Sequence, residues 1–186
     1  MVLLGMGTGV VVGYAAVLFI ILIELMALAF FGEPLRALDI LRHVPWYRVL
    51  LVPALGGLAT GLVIHLFARE AKGHGVSEVM EAVALQGGVI RGRVGLVKTI
   101  ASALTLGSGG SVGREGPIVQ IGASIASKIG QLLGANPRQL RTLAGCGASA
   151  GIGAIFNAPI AGAIFSLEVI LGDFELATFA PIVLAA

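Results

Sequence analysis

Arg114 and Glu115 stand side by side in the run LGSGGSVGREGPIVQIG at 106–122, a pairing of charges with glycine that suits ion chemistry. Gly107, Gly109, Gly110, Gly113 and Gly116 crowd the approach to Pro117, and largely apolar residues of good helical potential follow from Ile118 through Leu133. Proline is tolerated in a first helical turn, where its missing N–H has no partner to lose, so Pro117 reads as the first helical residue and Gly116 as the N-cap. The leading amides of that helix point back at the glycine-rich approach and carry roughly +0.5 elementary charge. Backbone of this kind holds an anion, and a carboxylate at Glu115 would compete for the same amides. An ATP-binding loop is the weaker reading, because the Lys-Ser/Thr ending and the preceding soluble strand are both missing.

The elements around this run are those of a membrane protein. The chain of 186 residues is 57% apolar and only 12% charged, with a mean hydropathy of +1.00. Such values exclude an ordinary soluble domain and leave room for about five or six embedded segments of ~20 residues. A charge near the bilayer centre costs at least ~3 kcal/mol, which makes Arg114 and Glu115 functional candidates. Irregular backbone at that depth needs a water-filled cavity or surrounding protein. A net charge of +2 points to neither nucleic acid nor a polybasic patch. Cys146, the single cysteine, allows no disulfide within the chain and reads as a packing residue. No second ligand stands near His74, so no metal or other cofactor is expected, and the reading is not that of an enzyme. The first apolar run is too long for a cleaved leader and reads as a retained helix.

Val2 to Phe31 forms the first expected span, with Glu24 near its end, and Gly32-Glu33-Pro34 closes it. A connection carrying Arg36, Asp39, Arg42 and His43 leads to Trp46 and Tyr47 as interfacial anchors, and Val49 to Phe67 forms the second span. Arg69, Glu70 and Lys72 mark the other surface, which the positive-inside rule favours weakly as cytoplasmic. Lys72 to Leu85 repeats the theme of a glycine approach before a helix, with Ser77 as N-cap and Val79, Met80, Val83 and Ala84 as its apolar face. His74 lies between Gly73 and Gly75, outside that helix. Further segments run from Val94 to Leu106, Gln139 to Ile155 and Ile160 to Leu171, and a last one begins at Leu176. The run AGCGASAGIGAIF is built for close helix contact. Several segments are too short to cross ~30 Å of hydrocarbon, and broken helices whose starts meet near the midplane are how transport proteins hold ions.

The residues Gly113-Arg114-Glu115-Gly116-Pro117, the following IVQIGA and the later FNAPIAGAIFSLE resemble the CLC chloride channels and proton-coupled chloride transporters over most of the chain. That resemblance implies an all-α membrane protein, a CLC-type bundle of tilted and broken transmembrane helices. It implies that residues 1–186 form the first of two inverted repeats, an N-terminal half or fragment whose second half lies elsewhere. Glu115 falls on the family's gating glutamate. Gly113, Arg114 and Gly116 would form the outer part of the anion site, and His74, Gly75 and Val76, on the first selectivity segment, its centre.

Two departures bear on activity. His74 stands where the family commonly has serine, and Ser77 where it has proline, which bears on selectivity among chloride and other small anions. Val169 follows Glu168 at the position of the family's inner proton-transfer glutamate, so the resemblance leans toward a voltage-gated-type chloride channel. A chloride/proton antiporter and a non-conducting half needing a partner chain are the alternatives. The family resemblance also implies a homodimer through Ile160 to Ala186 and a multi-pass location in a membrane, expected to be the cell membrane. The central expectation is that peptide dipoles at the Pro117 helix start, rather than a fixed cationic side chain, hold the anion.

Overall fold

The computed structural model describes residues 1–32, 44–68, 73–172 and 174–186, and these residues are helical with no strand among them. Glu33, Pro34, Arg36, Asp39, Arg42, His43, Arg69, Glu70 and Lys72, singled out in the sequence, lie outside the described residues. The helices are α1 (Val2–Phe31), α2 (Trp46–Phe67), α3 (Val76–Leu85), α4 (Gly92–Gly107), α5 (Glu115–Leu132), α6 (Pro137–Phe156), α7 (Pro159–Phe165) and α8 (Leu176–Ala185). A π-helical turn, Ser166–Leu171, continues α7. By length and composition α1 and α2 can each cross a membrane, and both present apolar surface outward. Trp46 and Tyr47 open α2 itself rather than ending the connection before it.

The interior is the pair α5 and α6, around which the other helices gather. The small residues of α6 allow this. A Cβ added at Gly122 would strike the backbone of Gly147, and one added at Gly147 would strike the backbone of Gly122. Ile118 lies against Gly151 in the same seam. Backbones that approach this closely gain dispersion contacts along their length, which is what holds helices together when lipid is the solvent. Helix α1 packs across them and also touches α8, with Gly5 against Pro181 and Gly9 against Ala185, and α4, with Ile23 beside Gly107. Replacing Gly147 with valine is therefore expected to lower the melting temperature in detergent by roughly 3–10 °C, the shift that ~1–3 kcal/mol of overpacking produces in a chain of this size. Gly13→Val, which meets open space, should leave it nearly unchanged, and equal melting of the two variants would refute the seam.

Three sequence expectations are corrected. Helix α5 begins at Glu115 with Arg114 as its N-cap, so Pro117 is the third helical residue and not the first. Proline fits there because the amides of the whole first turn lack intrahelical acceptors. Helix α3 begins at Val76 after Gly75, whose φ of 100° suits glycine, and Ser77 is not its cap. The buried face of α3 is Val79, Ala82 and Val83, while Met80 and Ala84 point outward.

Basic side chains collect at one end of the bundle. A Cβ added at Gly92, at the start of α4, would lie 3.6 Å from the stem of Lys128, and one added at Gly87 would lie 3.2 Å from Pro137. These approaches bring Arg91, Arg93, Lys128, Arg138 and Arg141 to the same end. Arg138 there forms an ion pair with Glu175.

Candidate anion site

The start of α5 ends against the start of α3. A Cβ at Gly116 would overlap the His74 carbonyl oxygen, and one at Gly75 would overlap the Gly116 backbone. Only glycine at both positions lets the two helix starts touch. Between them and helices α2 and α4 lies a cavity of about 370 Å³. His74, Val76, Gly113, Glu115 and Gly116 line it, as do Lys98 and Thr105 of α4 and Thr60 of α2. Of the seven residues expected at the site, Gly75 and Arg114 do not line the cavity. Gly75 backs it through its contact with Gly116, and Arg114 caps α5.

The first backbone bond of α5 is donated by Ile118 to Arg114, at 3.2 Å. Among the described residues the amides of Gly113, Arg114, Glu115 and Gly116 donate to no protein acceptor. Orphan amides at a helix start are strong donors aimed at whatever occupies the space in front, and Gly113 and Gly116 border the cavity directly. The Glu115 carboxylate folds back over Gly113, onto the position that a Cβ there would take. It accepts no hydrogen bond from a described residue. A carboxylate thus sits beside backbone donors that have no protein partner among the described residues and that suit an anion.

At α3 the arrangement is different. The Gly75 amide donates to the Glu78 carboxylate at 2.6 Å, and the Ser77 hydroxyl donates to the same oxygen at 3.2 Å. This engages the Gly75 donor, so His74 and Val76 are the residues of that expected trio whose amides keep no acceptor. His74 lines the cavity.

Lys98 is the residue that sequence reasoning missed. It is 5% exposed, and its ammonium donates to the Gly73 carbonyl at 2.6 Å while lining the cavity. Beside the peptide dipoles expected to hold the anion, a lysine of α4 therefore stands in the same wall. The signal was present, since Lys98 lies within the otherwise apolar stretch from Val94 to Leu106. Thr60 and Thr105, joined through their hydroxyls at 2.8 Å, add polar atoms to the α2 and α4 walls. Glu168 is exposed on the π-helical turn, and neither it nor Val169 lines the cavity. Among the described residues no cluster of His, Cys, Asp or Glu could hold a metal ion.

Known proteins resemble this chain in sequence and in fold. The family described as voltage gated chloride channel matches residues 56–186. A ClcB-like protein of Ralstonia nicotianae is 40% identical over 149 residues, 78% of this chain and 35% of that protein. The voltage-gated ClC-type chloride channel ClcB of Yersinia pestis is 38% identical over 143 residues, 76% of this chain and 34% of that protein. Among solved structures, a CLC-type fluoride/proton antiporter superposes with a TM-score of 0.79 at 27% identity, covering 100% of this chain and 44% of that one. The chain spans about a third of the length of these two curated relatives.

Proposed function

The chain belongs to the CLC family of voltage-gated chloride channels, whose members are integral multi-pass membrane proteins, and from that premise we propose that the complete protein conducts chloride or a similar small anion past Glu115. The observation that carries this reading is the set of acceptorless amides at Gly113 to Gly116, facing a cavity shared by the Glu115 carboxylate and the Lys98 ammonium. Glu115 acts as the gate: charged, it takes the place of the anion, and once protonated or displaced it yields that place. Residues 1–186 serve as the first of two inverted repeats, the second supplying the facing wall. Two-fold dimerisation through Ile160 to Ala186 is supported by the apolar side chains Ile160, Ile164, Phe179 and Leu184, which stand exposed along that surface.

Conduction without proton exchange is favoured by Val169, because an alkyl side chain relays no proton. Coupled exchange is the second reading, supported by the close superposition on an antiporter. Purified complete protein in liposomes separates the two. Chloride efflux without proton movement is the expected result; proton counterflow in fixed ratio to chloride would replace the channel reading with the exchanger.

A further inference from the structure

A second cavity, of about 530 Å³, opens between α1, α4 and α5 at the basic end of the bundle. We propose that it binds one anionic phospholipid, head group toward Arg93 and Lys128 and acyl chain along the apolar wall.

Three observations fit this occupant in sequence along α5. At the mouth stand Arg93 and Lys128. Lys128 is exposed and has no ion-pair partner among the described residues. One helical turn deeper, four residues and about 6 Å along the axis, lies Ser124. It is 1% exposed, it lines the cavity, and its hydroxyl has no hydrogen-bond partner. Buried polar atoms are nearly always paired, so an unpaired hydroxyl in an apolar groove points to a missing acceptor. Beyond it stand Ile121 and Val11, while Leu96, Ile125 and Ile129 flank the hydroxyl and the mouth. Phosphate, glycerol ester carbonyl and acyl chain occur in that order and at comparable spacing in a phospholipid. A small soluble anion would use the two cations and leave both the hydroxyl and the apolar wall unmatched.

The leaflet agrees with the assignment. Arg91, Arg93, Lys128, Arg138 and Arg141 share this end of the bundle, which the positive-inside rule weakly favours as cytoplasmic, where anionic lipid recruits basic side chains. This site is separate from the cavity at Glu115 and does not depend on what that cavity conducts.

Native mass spectrometry of the complete protein, titrated with phosphatidylglycerol or phosphatidylcholine of equal chain length, tests the proposal. One phosphatidylglycerol should be retained per chain at concentrations where phosphatidylcholine is lost. Lys128→Gln should weaken that retention about fivefold, and Ser124→Ala by roughly two- to tenfold; both substitutions are small enough to leave the helices packed. Equal retention of the two lipids would overturn the proposal, as would displacement by soluble glycerol phosphate at the lipid's own concentration. A photoreactive group placed at Leu96 should label lipid; labelling of another protein segment or a second copy would equally overturn it.

Discussion

Replacing Glu115 with glutamine in the complete protein is expected to raise chloride flux several-fold and to abolish its response to external pH. Glutamine keeps the size of the side chain but removes the charge that competes for the amides at the start of α5. In the wild-type protein the carboxylate lies over Gly113, beside the unpaired donors of Gly113 to Gly116. Protonation of that carboxylate removes its attraction to the amides, so acid on the outer side should favour the anion; with glutamine there is nothing left to protonate. Flux assays at a series of external pH values read the effect directly. An unchanged pH response in Glu115→Gln would make Glu115 a structural charge, with Arg114 as its natural counterpart.

Lys98→Met should have the opposite effect, a fall in anion affinity of about thirtyfold. The ammonium lines the cavity from a buried position in α4. Through an effective dielectric near 20, one unit charge at ~8 Å contributes on the order of 2 kcal/mol to holding an anion, which corresponds to that factor and is an upper bound because the Glu78 carboxylate also acts on Lys98. The substitution also removes the 2.6 Å hydrogen bond to the Gly73 carbonyl, which fixes the approach to α3. Lys98→Arg retains the charge with a different shape and should lose much less. Isothermal titration with chloride distinguishes these outcomes. Wild-type affinity in Lys98→Met would return the site to peptide dipoles alone, as the sequence suggests.

The helices were legible because their ends are written in local chemistry. Asn136 and Pro137 open α6, with the Asn136 side chain accepting from the Gln139 amide at 2.9 Å. Asn157, at φ 52°, and Pro159 separate α6 from α7. The small-residue run of α6 announces close packing, and the Gly122–Gly147 contact is its realisation. What stayed hidden depends on tertiary placement. Pro117 is compatible with any position in the first turn, so periodicity could not tell whether α5 starts at Glu115 or later. Ser77 is a good cap in isolation, but the positive φ of Gly75 and the reach of Glu78 to the Gly75 amide start α3 earlier. Whether α3 buries Ala82 or Met80 is decided by where α5 and the π-helical turn pack on it, which a single helix pattern does not contain. Lys98 reaches the cavity only because α4 runs beside the glycine approach to α3, a proximity between residues far apart in the chain. The glycine and acidic residues of the site were therefore readable; Lys98 was readable as a charged residue in an apolar stretch, and its place at the cavity was not.

The central claim is that an anion rests on the backbone at the start of α5. Anomalous diffraction from crystals of the complete protein carrying Glu115→Gln, grown in bromide, tests it most directly. The account predicts a bromide peak within hydrogen-bonding reach of the Gly113 to Gly116 amides, on the side of the cavity that faces Lys98. Bromide bound elsewhere with that position empty would contradict it.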